Sequence, residues 1–122
     1  MDKKDLGAKG EAIAVSLLRC QGYKILVKNF RCRLGEIDII AQDKDTLVFV
    51  EVKTRWSKEF GLPEEAVGKR KLHSIQKVGE YFRMSHKGSL PEAHRIDVVA
   101  IEMGIQGKVT RKEIIQNAAV GW

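Results

Sequence analysis

Apolar residues change their spacing several times along this chain, and each change predicts an element. Over residues 6–21 they recur at helical intervals, with Ala14, Val15, Leu17 and Leu18 on one side and Gly22 stopping the pattern. Residues 23–30 alternate as a strand does. Residues 35–41 and 47–54 read as two more strands around Gln42-Asp43-Lys44-Asp45-Thr46, a turn by composition. A loop over 56–62 ends at Pro63, which suits the first turn of a second helix. That helix is expected over about 64–84, contributing Val67, Leu72, Ile75, Val78 and Phe82 to a core. A polar connection over 86–94 leads to a strand over 95–102. A short partner over 108–111 and a terminal turn or strand over 113–118 follow. The order α-β-β-β-α-β predicts an α/β fold with helices on the faces of a sheet, in one domain spanning residues 1–122.

Size and charge narrow the uses of such a domain. At 122 residues and 43% hydrophobic, it has room for a covered sheet but not for a catalytic domain plus a separate recognition domain. Lys and Arg total 22 against 16 Asp and Glu, a net +6 that suits a polyanionic partner or simply a basic surface. Cys20 and Cys32 form neither a metal-ligand pattern nor a disulfide framework. No apolar run approaches the roughly 20 residues that span a bilayer, and the charged start is not followed by an apolar segment. No membrane partner is expected, and the expected location is cytoplasmic.

The two central strands carry the candidate chemistry. If Asp43 to Thr46 form the turn, Ile37, Ile39 and Ala41 face Val52, Val50 and Val48 on one apolar side. The other side pairs Ile40 with Phe49, Asp38 with Glu51, and Glu36 with Lys53. It is greasy near the turn and charged toward the far end, unlike the outer face of a simple surface hairpin. Facing Cβ atoms would lie about 5 Å apart. Two carboxylates there repel by roughly 3 kcal/mol at an effective dielectric near 20. A hard divalent cation relieves that repulsion, and all-oxygen ligands suit Mg²⁺ or Mn²⁺. A five-residue turn would instead put Asp38 and Glu51 on opposite faces. An ion-paired cluster on a solvated strand end is the plainer alternative. Glu11 adds a third acid, in line with Ala14, Val15 and Leu18 on the apolar stripe of the first helix. It either leans toward the metal site or sits in a fraying first turn that favours acids.

These residues resemble a known signature. Gly35-Glu36-Ile37-Asp38 followed by Phe49-Val50-Glu51-Val52-Lys53 resembles the PD-(D/E)xK nuclease motif, and its wording resembles the bacterial YraN-like family, itself similar to archaeal Holliday-junction resolvases. The resemblance extends to Gly7, Glu11, Asn29, Gly61-Leu62-Pro63, Val67, Lys71, Arg95-Ile96-Asp97-Val98-Val99 and Asn117-Ala118. It implies a restriction-endonuclease-like core, a mixed sheet flanked by helices. It further implies that Asp38 and Glu51 are metal ligands, that Lys53 positions or activates the attacking water, and that Glu11 supports the metal. Ile37 stands where the superfamily's name has proline.

Other residues carry weaker signals. Lys69, Arg70 and Lys71 fall near the start of the second helix, where the helix dipole disfavours cations. They form either a phosphate-facing group or a solvated patch, and Lys71 also matches the family pattern. Arg31, Arg33 and Arg55 flank the charged end of the hairpin and could meet backbone phosphates. Trp56 could stack on a base or pack onto the body. His73, His86 and His94 lack ligand spacing, and Trp122 ends the chain. The leading expectation is a Mg²⁺- or Mn²⁺-dependent endonuclease acting on DNA, with branched or structured DNA and a homodimer as the resolvase likeness implies. The nucleic-acid contacts would come from Lys71, Arg55, Arg33 and Lys69. Two rivals are a non-catalytic nucleic-acid-binding protein that keeps the nuclease fold, and an interaction protein with an incidental acid cluster.

Overall fold

In the computed structural model, which describes residues 2–57 and 61–119, the Asp2 side chain caps the first helix by accepting the Asp5 N–H at 2.8 Å. Helix α1 then runs over Lys3–Cys20 and stops at Gly22, whose φ of 91° takes the chain out of the helix. Strands β1 (Lys24–Cys32), β2 (Gly35–Asp43) and β3 (Thr46–Trp56) follow as an antiparallel meander. A 3₁₀ turn over Pro63–Ala66 leads to helix α2 (Lys69–Ser85) and strand β4 (Ala93–Met103), which pairs parallel with β3. After a second 3₁₀ turn over Ile105–Gly107, strand β5 (Val109–Ile115) closes antiparallel on β4.

The result is an open mixed sheet of five strands in the order β1-β2-β3-β4-β5, flanked by two helices. This is the α/β architecture expected from the sequence, and it is consistent with a nuclease-like core. Helix α1 covers one face, packing Leu6, Ala14 and Leu18 against Ile39, Ala41, Val48, Val50, Val99 and Ile101. Helix α2 covers the other, packing Leu72, Ile75, Val78 and Phe82 against Ile37, Ile40, Leu47, Phe49 and Ile96. Strands buried on both faces read as continuous apolar runs, which is why 47–50 and 96–101 carry so little polar character.

Several boundaries differ from the sequence reading, and β3 runs on to Trp56, which was read as the start of the loop. The second helix begins at Lys69 rather than 64, because Val67 is extended and Gly68 serves as its N-cap. Pro63 starts only its own 3₁₀ turn. The two pieces expected after the last long strand are one strand, β5, and residues 93–94 already belong to β4. Trp122 lies outside the described residues, as does part of the loop expected over 56–62.

Each helix approaches the sheet closely at a glycine. A side chain at Gly10 would collide with Thr54, so the missing Cβ is what lets α1 settle over β3. At Gly79, a Cβ would lie 2.5 Å from the Phe49 ring. Gly79→Ala is therefore expected to destabilise the fold by about 1–3 kcal/mol through overpacking. A lower urea midpoint at unchanged slope is the expected readout.

Candidate active site

The β2–β3 ladder follows the expected register from the turn as far as Ile39, which faces Val50, and the paired positions end there. Past that point the Asp38 carboxylate, not a backbone carbonyl, accepts the Val52 N–H at 2.8 Å. The sequence reading placed Ile37 beside Ile39 on one face, opposite Val52. Instead Ile37 packs with the α2 cluster while Ile39 packs with the α1 cluster. Strict alternation is therefore broken around Asp38. Across the sheet, Asn29 stands in the gap between the pairs Lys28/Ile39 and Phe30/Ile37 with a left-handed φ of 54°.

The acids meet at this break. The Asp38 and Glu51 carboxyls come close enough to interact electrostatically, although they are not a paired ladder position. Glu51 is drawn toward the α2 side, where the Lys71 ammonium lies 3.3 Å from its carboxylate. Asp38 lines a cavity of about 440 Å³ together with Glu11, Val52, Lys53, Arg55 and Trp56. Asn29, a residue the sequence reading noted only through the family pattern, lies near the Glu11 carboxyl and favours its charged form. The clue to Asn29 was its residue type, since Asn is among the few that adopt left-handed backbone readily. Glu36, expected opposite Lys53, instead pairs with Arg31 at 3.0 Å across the β1–β2 ladder. Among the described residues, Lys53 makes no ion pair.

The nucleic-acid candidates divide. Arg55 lines the cavity and Lys71 reaches Glu51, whereas Lys69 and Arg33 are exposed and are not among the residues lining that cavity. Arg33 sits in the β1–β2 turn, and the adjoining Gly35 abuts Ser74 and Val78 of α2. Trp56 packs against the α1-side core while also lining the cavity, so its packing role is the one visible. Among the described residues, no three His, Cys, Asp or Glu side chains gather tightly enough to form a metal cage. None of the described helices is long and apolar enough to cross a membrane. Both cysteines are free thiols.

The charge balance at the break is strained. Burial pushes the Glu51 carboxyl up to about 8, the Asp38 carboxylate adds to the shift, and Lys71 pulls against it. Glu11 is raised as well, by burial first and then by Asp38. A carboxyl whose pKa is higher folded than unfolded makes the folded state bind the extra proton. Its contribution is complete below the unfolded value and fades as pH rises from 4.5 to about 8. The metal-free protein is thus expected to lose a few kcal/mol, or about 5–10 °C in melting temperature, between pH 5 and pH 8.5. Glu51→Gln should flatten that decline, as a series of melts in chelator would show.

A family model described as "Uncharacterised protein family UPF0102" matches residues 10–101, a span holding Glu11, Asp38, Glu51, Lys53 and Lys71. A UPF0102 protein from Caldicellulosiruptor saccharolyticus is 46% identical over 97% of this chain and 99% of its own length. One from Caldicellulosiruptor bescii is 49% identical over the same shares. One from Moorella thermoacetica is 41% identical over 97% of this chain and 98% of its own.

Proposed function

We propose that this chain, which belongs to the UPF0102 family, is a metal-dependent endonuclease of the PD-(D/E)xK type that hydrolyses phosphodiester bonds in DNA. The observation that carries this reading is the break between β2 and β3. There the Asp38 and Glu51 carboxyls come within reach of one another, while Glu11 and Lys53 line the same cavity as Asp38. A purely structural acid pair would gain nothing from a buried Glu51 whose side chain is only 12% exposed.

The donor set suits a small hard cation. All the candidate ligands are carboxylate oxygens, and Mg²⁺ commonly binds through one or two carboxylates while retaining waters. Asp38 and Glu51 would hold it and Glu11 would support it, with Asn29 favouring the charged form of Glu11. When bound, the cation would supply Lewis acidity toward the phosphodiester and offset the burial and the Asp38 repulsion that raise Glu51. The protein's own part falls to Lys53. Its ammonium offers three donors to orient a water and to stabilise charge developing on the phosphoryl oxygens. Hydrolysis forms a bond from the water oxygen to phosphorus and breaks the ester P–O bond, with the leaving oxygen taking up a proton. Arg55 at the cavity, and Arg33 and Lys69 on the exposed surface, would hold flanking phosphates. Cutting both strands of a junction takes two active sites, so a homodimer goes with a branched substrate.

Purified protein incubated with Mg²⁺ and four-way junction, flap and duplex DNA tests the reading. Cutting that disappears in Asp38→Ala is the expected result. No cutting of any substrate, or undiminished cutting by Asp38→Ala, would overturn it. Salt-dependent DNA binding indifferent to both Mg²⁺ and Glu51→Gln is what a non-catalytic binder would give.

A further inference from the structure

Lys71 stands in an electrostatically awkward place. The first turn of α2 contains Lys69, Arg70 and Lys71 and no acid, at the helix end whose dipole repels cations. What holds Lys71 lies outside its helix: the Glu51 carboxylate, 3.3 Å away, on the strand that carries the candidate metal ligand. The Glu51 side chain is 12% exposed and that of Lys71 is 41% exposed, so the acid is fixed within the protein and the base is free to swing outward. The Asp38 carboxylate lies beside Glu51 as well, so the Lys71 ammonium offsets a local excess of negative charge.

An oxygen paired with an ammonium cannot also grip a divalent cation without pressing two positive charges together. We propose that Lys71 is a positioning residue that keeps the cation's place at Glu51, and that metal entry releases it to a DNA phosphate. This rests on the metal-dependent nuclease reading above. Before the metal binds, the ammonium is neutralised inside the protein and adds little to DNA affinity. After the metal binds, the same ammonium faces outward beside Lys69 and Arg70 as a compact, strongly hydrated point charge. Metal and DNA are then positively linked, each strengthening the other by the same factor. The order of binding follows: the cation first, the nucleic acid second. The arrangement also keeps the acid pair from being left bare when neither is bound.

Mn²⁺ titration followed by electron paramagnetic resonance, on the wild type, Lys71→Met and Lys69→Met, separates this from a general charge effect. Both substitutions remove one positive charge from the same exposed helical turn, but only Lys71 touches Glu51. Lys71→Met is expected to bind Mn²⁺ about tenfold more tightly, since a competing charge in contact is removed, and Lys69→Met to stay within about twofold. A second arm measures binding of a fluorescein-labelled duplex with and without Ca²⁺ as a stand-in for the catalytic ion. The wild type should gain affinity on Ca²⁺ addition, and Lys71→Met should lose most of that gain. An equal Mn²⁺ shift in the two variants, weaker Mn²⁺ binding by Lys71→Met, or an undiminished Ca²⁺ gain would overturn the role of Lys71 alone. A wild type that binds no Mn²⁺ would overturn the metal reading of the site itself.

Discussion

Lys53→Met is expected to slow single-turnover DNA cleavage by about 10²–10³-fold, the usual effect of removing one preorganised donor to developing charge. Asp38→Ala and Glu51→Ala should each cost at least as much, about 10³-fold or more, because each removes half of the cation's protein ligands. Combining Asp38→Ala with Lys53→Met should cost little beyond the worse single variant, since groups that act as a unit are not additive. Lys53→Arg keeps the charge but replaces a compact ammonium with a planar fork, so rescue should be poor. DNA affinity measured with Ca²⁺ should change far less than turnover in Lys53→Met. A variant that loses binding and cleavage together would mark Lys53 as a phosphate anchor instead.

The largest expected effect on stability lies away from the acid break. Asp97 is fully buried, and its carboxylate accepts the Tyr23 hydroxyl at 2.8 Å, Arg95 Nε at 2.9 Å and the Asn117 N–H at 3.0 Å. Arg95 also reaches Asp43 at 2.7 Å, and Gln116 donates to the Tyr23 hydroxyl at 2.9 Å. The network thus ties the β2–β3 turn, the start of β1, strand β4 and the chain after β5 into one knot. Asp97→Ala removes the hub and leaves the Asn117 N–H without its acceptor. Breaking a buried, hydrogen-bonded charge in this way is expected to cost about 3–5 kcal/mol. For a domain of this size that is about 10–20 °C in melting temperature. Asp97→Asn keeps the shape and part of the hydrogen bonding and should cost less. The network is separate from the acid pair, so the cleavage rate of the folded Asp97→Asn protein at low temperature should stay near that of the wild type.

The sequence carried the sheet's centre well, for an identifiable reason. Lys44 takes a left-handed φ of 54° inside a two-residue turn, and that turn fixes Asp43 opposite Thr46 and every pair out to Ile39 and Val50. Beyond Val50 the reading of faces failed, because a side chain took over a backbone role. The Asp38 carboxylate holds the Val52 N–H, a substitution that periodicity cannot reveal. Asp38 and Glu51 still meet, through the break rather than as facing neighbours. Glu36 was misassigned for a related reason: its closest cation, Arg31, comes from the other side across β1. The late start of α2 was visible in principle at Gly68, a poor helix former that the apolar spacing of Val67 and Leu72 masked. The Lys71–Glu51 contact spans two elements far apart in the chain, and nothing local announces it. Arg95 and Asp97 sit two apart on one strand and so share a face, but the sequence reading noted them only through the family pattern and drew no buried network from them.

Crystals soaked in Mn²⁺ and examined by anomalous scattering test the central claim most directly. The account predicts one ion with an oxygen of Asp38 and an oxygen of Glu51 each about 2.1 Å away. Carboxylates with no ion between them, or an ion bound only elsewhere on the surface, would contradict it.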